Sequence, residues 1–381
     1  MNFKRKVSCI ILMTFFMMMI APPVLMADDV EVKGEAYVLM DADSGKVLMG
    51  KNEHKKLPPA SMTKLMTLIL AVEAMEEGKV ALKDKVVSSE NAWKMGGSQI
   101  YLEPGEEMTY EDMLIAIAVG SANDACVAVA EHLEGTHKNF VEKMNERARK
   151  MGLKNTHFVN SYGLTADDHY SSSYDMAIIA RNALNYPRIL EYCSIKEYNL
   201  RQGDFKLFNT NKLLWWYQGA DGFKTGWTNE AKYCLTATAK RDGLRLISVV
   251  MGSPEKQGNF RDSMQLFNYG FARYAYKSFF TRGSACGMVK VGKGIIDSVE
   301  VIAEEDAGSI TVKGEENTIK SQMEFLSYVD APVSQGQKLG EILIFKDGTL
   351  EKKVNLLASQ DIARAGLPRE IMKIFVETYL L

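Results

Sequence analysis

The sequence predicts an α+β protein, an antiparallel sheet with a helical subdomain, followed by a small all-β domain. Three observations carry that expectation. Strand-like stretches lie at both ends of a long helical block. The second group forms a hairpin around Arg241-Asp242-Gly243. Beyond about Arg282, short β-like segments alternate with Gly- and Asp-containing turns. The regular strand–helix–strand alternation of a parallel sheet is missing.

Taken in order, residues 36–41 alternate loosely between apolar and polar, Asp43-Ser44-Gly45 is a turn, and residues 46–49 resume as a strand. Leu57-Pro58-Pro59-Ala60 stops this hairpin. Residues 61–77 then carry Leu65, Met66, Leu68, Ile69 and Val72 at helical spacing, closed by Gly78. Further helices are predicted over 110–119, ended by Gly120, and over 122–132, 138–151 and 175–185. Strands 233–240 and 244–252 flank the hairpin turn, and 260–276 reads as a closing helix. In the β domain, strands are expected at 287–291, 299–303, 309–312 and 341–345, with no motif for catalysis, so a spacer or interaction module is expected there.

The two ends read differently. Lys4, Arg5 and Lys6 precede an apolar run over 7–20, Ala21-Pro22-Pro23 breaks it, and Ala27 suits a cleavage site. That is the layout of an export signal, and the run is short for a membrane span. The expected division is therefore 1–27 signal peptide, 28–281 catalytic domain, 282–366 β-rich domain and 367–381 amphipathic tail. In the tail, Ile371, Ile374, Phe375 and Tyr379 share one face, and Glu370, Lys373 and Glu377 line another. It is too short to span a bilayer but suits an anchor lying in the membrane surface. A helix packed on the β domain is the alternative. The expected location is outside the cell interior, on the outer face of the cytoplasmic membrane.

Composition excludes several classes. The chain is 46% hydrophobic and 25% charged, with a formal charge of −2, so no nucleic-acid-binding surface is expected. Cys126, Cys193, Cys234 and Cys286 are scattered, without a C-x-x-C pair, and read as buried small hydrophobes. His54, His132, His137, His157 and His169 show no metal-ligand spacing. No metal and no cofactor are expected. A serine mechanism also lacks an evident histidine base, which turns attention to lysines.

Ser61-Met62-Thr63-Lys64 begins right after two prolines, which can precede a helix but not sit inside one. Ser61 then falls in the first turn, near the positive end of the helix dipole, with Lys64 on the same face. Met62, Leu65 and Met66 surround Lys64 with apolar side chains, and poor solvation lowers a lysine pKa until it can act as a base. Ser253-Pro254-Glu255-Lys256 matches the same spacing but follows a strand and precedes no long apolar helix, so it is discounted. Ser121-Ala122-Asn123 follows Gly120 between two helices. Ser121 can relay a proton, and Asn123 can bind a substrate amide and orient Lys64; helix capping is the plainer reading. Lys224-Thr225-Gly226 leads into a strand. Lys224 and Thr225 suit a carboxylate, Gly226 lets a substrate lie against the strand edge, and the N–H groups of Trp227 and Ser61 can form an oxyanion hole. A surface turn with a solvated lysine is the plainer reading.

The three motifs, in this order, resemble those of the penicillin-recognising serine D,D-peptidases and β-lactamases. The longer strings Leu57-Pro58-Pro59-Ala60-Ser61-Met62-Thr63-Lys64, Ser121-Ala122-Asn123-Asp124-Ala125-Cys126 and Asp221-Gly222-Phe223-Lys224-Thr225-Gly226-Trp227-Thr228 look like those of low-molecular-mass D-alanyl-D-alanine carboxypeptidases of the type-5 group. Asn160-Ser161-Tyr162-Gly163-Leu164 and His169-Tyr170-Ser171-Ser172 add to the likeness, which is strong over roughly 35–275. It implies a β-lactamase/transpeptidase-like catalytic domain, a C-terminal β domain and an amphipathic anchor. It implies Ser61 as acylated nucleophile, Lys64 as base, Ser121 and Asn123 as the second element of the site, and Lys224 and Thr225 as the carboxylate-binding element. The implied substrate is a peptidoglycan pentapeptide ending in D-Ala-D-Ala, with β-lactams as covalent inhibitors. Trp227 departs from relatives that carry His there, but only its backbone is needed. A β-lactamase is the chief alternative. However, residues 147–190 hold no glutamate to activate a deacylating water; Asp167 and Asp168 are possible substitutes but sit in a polar loop beside His169. A D,D-endopeptidase needs the same residues and stays open. A non-catalytic sensor would be expected to carry signalling segments, which the sequence does not show.

Overall fold

The computed structural model describes residues 30–369 and 371. The signal segment and most of the tail lie outside them. Strands β1 (Ala36–Asp41) and β2 (Val47–Lys51) form an antiparallel hairpin. Its turn ends on Gly45 at φ +74°, a conformation that suits a residue without Cβ. After the prolines comes a 3₁₀ turn, Ala60–Thr63, which runs straight into α1 (Lys64–Glu76).

The helical block follows. It contains β3 (Lys85–Val87), α2 (Glu90–Trp93), β4 (Glu107–Thr109) and α3 (Tyr110–Ile115). A π turn, Ala116–Gly120, leads to α4 (Asn123–Glu134), α5 (His137–Lys150), α6 (Ser173–Ala183) and α7 (Pro187–Ser194). The β5 (Glu197–Leu200) and β6 (Phe205–Phe208) ribbon and the short α8 (Leu213–Trp216) complete it. Four helix starts are capped: Ser89, Thr109, Thr136 and Ser172 accept the N–H of Ala92, Asp112, Asn139 and Asp175.

The chain then returns as β7 (Ala220–Thr228), β8 (Lys232–Arg241) and β9 (Leu244–Ser253), followed by α9 (Gly258–Arg273). These strands join the first hairpin in a five-stranded antiparallel sheet of order β2-β1-β9-β8-β7, which leaves β7 as an edge. Alternate residues choose opposite faces. Val38, Met40, Ile247 and Val249 join the helical core, whereas Leu39 and Leu246 meet Gly270 of α9.

The remaining strands are β10 (Tyr274–Phe280), β11 (Ala285–Gly292), β12 (Ser298–Ala303), β13 (Ala307–Val312), β14 (Ile319–Phe325), β15 (Tyr328–Asp330), β16 (Lys338–Lys346) and β17 (Thr349–Ala358). Six of them form a sheet of order β14-β16-β17-β12-β11-β15, and β10 pairs with β13. Their buried side chains, Val301, Ile342, Val354 and Leu356 among them, make a second core.

The structure differs from expectation where long-range pairing decides. The predicted 260–276 helix stops at Arg273, because Tyr274 and Tyr276 pair with Val312 and Ile310. The predicted 110–119 helix changes to a π turn at Ala116. Strand β17 had no expectation: Glu351, Lys352 and Lys353 hide an alternation in which Val354, Leu356 and Ala358 point inward. Its Lys352 Nζ reaches Asp43 Oδ1 at 2.6 Å, linking the β domain to the first hairpin. Cys126, Cys193 and Cys234 are free and buried, and Cys286 is half-buried. Among the described residues, no helix is long and apolar enough to cross a membrane. Of the predicted tail face, Ile371 is described and is 64% exposed, next to Leu367 at 76%.

Candidate active site

A cleft of about 360 Å³ opens between the 3₁₀ turn, the edge strand β7 and the start of α9. Ser61, Ser121, Thr225, Gly226 and Trp227 all line it, although they come from three distant stretches of sequence.

Ser61 sits in the 3₁₀ turn rather than in α1 itself. The residue before it, Ala60, takes φ +48°, which costs an L-residue roughly 1–2 kcal/mol. Packing on two sides holds it there. A Cβ on Gly163 would stand 1.9 Å from the Ala60 carbonyl oxygen, and one on Gly226 would stand 2.9 Å from the Pro59 carbonyl oxygen and 3.1 Å from the Ser61 nitrogen. Both glycines are therefore demanded by close backbone approach. At Gly226 the neighbour is the serine turn, not the substrate alone.

Lys64 is completely buried. Its Nζ donates to Ser61 Oγ at 2.9 Å and to the Tyr162 carbonyl at 2.5 Å. Burial drives its pKa down from the ordinary 10.5 to about 8; Cys126 and Asp124 oppose that shift. A neutral amine 2.9 Å from the hydroxyl can accept its proton.

Ser121 closes the π turn in the left-handed region, at φ +61°. This pushes its side chain off the helix line and into the cleft wall, where its hydroxyl has no hydrogen-bond partner among the described residues. Asn123 does not orient Lys64. Its Nδ2 donates to the Gly96 carbonyl at 2.6 Å, while its buried Oδ1 has no partner. Asp124 accepts the N–H groups of Ile100 and Leu102, each at 3.1 Å by its Oδ2. Together Asn123 and Asp124 pin the segment that brings Ser98 to the cleft. The lysine is oriented instead by a backbone carbonyl, which has no residue-type signature and so escapes sequence reading.

Lys224-Thr225-Gly226 lies inside β7 rather than ahead of a strand. Thr225 faces the cleft and donates to Thr210 Oγ1 at 2.7 Å. Lys224 is fully buried beneath the wall and is not part of the lining. Its closest acceptor is the Thr225 carbonyl at 3.5 Å. Burial first, and the nearby Lys64 second, push its pKa down to about 7. Trp227 projects outward, 55% exposed, so its side chain leaves the backbone accessible at the edge. Ser253 of the discounted motif is buried at the end of β9 and bonds Asp262 at 3.1 Å. Its partner Lys256 nonetheless lines the cleft, as do Lys212, Asn259 and Phe260, none of which the motifs indicated. Asp167 and Asp168 do not line it. No group of three His, Cys, Asp or Glu that could hold a metal occurs among the described residues.

Comparison with known proteins identifies the family. A family model described as D-alanyl-D-alanine carboxypeptidase matches residues 23–255, and one described as the penicillin-binding protein 5 C-terminal domain matches residues 274–364. The chain is 43% identical to the D-alanyl-D-alanine carboxypeptidase DacF of Bacillus subtilis, covering 88% of this chain and 87% of that one. The crystal structure of penicillin binding protein 5 from Haemophilus influenzae aligns with a TM-score of 0.68 and 34% identity over 88% of this chain and 98% of that one. Penicillin-binding protein D2 from Listeria monocytogenes, solved in an ampicillin-bound form, aligns with a TM-score of 0.59 and 31% identity over 64% of this chain and 99% of that one. The chain belongs to the D-alanyl-D-alanine carboxypeptidase family of low-molecular-mass penicillin-binding proteins.

Proposed function

We propose that this protein is a serine-type D-Ala-D-Ala carboxypeptidase that removes the terminal D-alanine from peptidoglycan pentapeptide stems and is acylated at the same serine by penicillins. The observation that carries the reading is a buried, pKa-lowered lysine in hydrogen-bond contact with a cleft serine, beside an edge strand able to receive a peptide.

In the proposed mechanism, neutral Lys64 takes the Ser61 proton as Oγ attacks the penultimate D-Ala carbonyl. The N–H groups of Ser61 and Trp227 hold the developing oxyanion. Ser121, whose hydroxyl is uncommitted, passes the proton to the leaving amine as the C–N bond breaks, and D-alanine departs. Water then attacks the acyl-Ser61 ester as Lys64 takes its proton, and Lys64 returns that proton to Ser61 Oγ as the acyl–oxygen bond breaks, releasing the carboxylate product. Thr225 holds the substrate carboxylate from the wall, and Lys224 supplies charge from beneath it. An arriving carboxylate raises the Lys224 pKa again, so the cation is restored when it is needed. Asn123 binds the substrate amide through its unpartnered Oδ1.

The proposed organisation is a removed signal over 1–27, a catalytic domain over 28–281, a β domain over 282–366 and a tail over 367–381 that lies on the outer face of the cytoplasmic membrane. The exposed Leu367 and Ile371 support that use of the tail. The deciding experiment incubates the protein lacking residues 1–27 with a D-Ala-D-Ala peptide and with a fluorescent penicillin. D-Alanine release and labelling are both expected, and both should vanish in Ser61→Ala. Labelling that survives in Ser61→Ala overturns the assignment of the nucleophile.

A further inference from the structure

The cleft has an unbalanced charge. Among the residues lining it are two lysines, Lys212 and Lys256, and no Asp or Glu. Lys212 Nζ donates to the Asn209 carbonyl at 3.1 Å and stands 4.8 Å over the Trp215 ring, contacts that aim the ammonium without neutralising it. Lys256 has no ion-pair partner among the described residues. The acid next to it in sequence, Glu255, is held by Lys33 at 2.9 Å and Arg261 at 2.6 Å instead. On the floor, Lys224 is sealed from the cleft, so it does not present an open cation to an approaching molecule. The start of α9 adds the positive end of a 16-residue helix whose N-cap, Gln257, makes no side-chain cap bond.

We infer that Lys212 and Lys256 are specificity-determining residues that draw in and hold the substrate by its C-terminal carboxylate, before that group reaches Thr225. This rests on the carboxypeptidase reading and assigns within it the cations that a free-acid substrate meets first. Lys256 is exposed and Lys212 half-buried, so both stand open to the cleft from which Lys224 is sealed. Two unpaired cations on the wall of a cleft without acids concentrate the field there, and such steering weakens with salt.

The test measures D-alanine release from a D-Ala-D-Ala peptide across ionic strength, for wild type, Lys212→Gln/Lys256→Gln and Lys212→Arg/Lys256→Arg. At low salt the Gln pair is expected to lose about 10-fold in kcat/KM, carried by KM, with kcat held within about 2-fold. The wild-type fall of kcat/KM with salt should flatten in the Gln pair and persist in the Arg pair. Fluorescent penicillin at saturating concentration checks that each variant retains a working Ser61. Unchanged KM and an unchanged salt slope in the Gln pair overturn the inference, as does a loss that falls on kcat. A wild type that labels with penicillin but releases no D-alanine overturns the carboxypeptidase reading itself.

Discussion

Lys224→Met should make the protein more stable at neutral pH while destroying its activity. Lys224 is fully buried and has no carboxylate partner among the described residues, only the carbonyl of its neighbour at 3.5 Å. Its pKa falls from 10.5 to about 7. Each tenfold change in acidity is worth about 1.4 kcal/mol, so holding this lysine in the folded state costs about 5 kcal/mol at pH below 7. The sign follows from proton counting. Between about pH 7 and 10.5 the unfolded chain binds the Lys224 proton and the folded chain does not, so stability rises with pH across that window. Lys64, lowered to about 8, acts in the same direction from a higher start. From pH 7 to 9 the wild type should gain about 2 kcal/mol from Lys224 and about 1 kcal/mol from Lys64. Methionine has a similar length and no charge. The variant should be about 2–4 kcal/mol more stable at pH 7, roughly 5–10 °C in Tm, and should keep only the smaller, Lys64 part of the pH dependence. Chemical denaturation of both proteins at pH 7, 8 and 9 measures this. A variant less stable than wild type at pH 7, or one with the full wild-type pH dependence, refutes the reasoning.

Four further outcomes are expected. Lys64→Arg keeps the charge but cannot act as a base, so acylation by penicillin should fall by at least ~10³, and near-normal labelling would move the base elsewhere. Gly226→Ala puts a Cβ 2.9 Å from the Pro59 carbonyl oxygen and 3.1 Å from the Ser61 nitrogen, so acylation should fall by about 10²; an unaffected rate would mean that the turn is free to shift. The penicilloyl adduct should persist in intact-mass spectra, because neither Asp167 nor Asp168 reaches the cleft, and rapid nitrocefin turnover without an adduct would favour a β-lactamase. Deleting residues 368–381 should release the protein from membranes with peptide hydrolysis intact; retention in the membrane fraction would point to an uncleaved signal or another anchor.

The Ser61–Lys64 pair was legible because its signature is local: two prolines fix where the turn can begin, and the two residues share a face by spacing alone. The hairpins at Gly45 and Asp242-Gly243 were equally local. The end of the closing helix was not, since β10 exists only because β13 pairs with it. Nor was the partner of Lys64, a carbonyl 98 residues away that any side chain could carry. The same holds for the wall of the cleft. Lys256 belonged to a motif set aside for its setting, and the fold brings it to the cleft from the loop between β9 and α9. Sequence by itself determined where the three motifs, the two hairpins of the main sheet and most of the longer helices lie, because these depend on residue type and short spacing. Only the tertiary structure decided the pKa values of Lys64 and Lys224, the need for Gly163 and Gly226, and the charge of the cleft, because burial and close approach are properties of what lies across the fold.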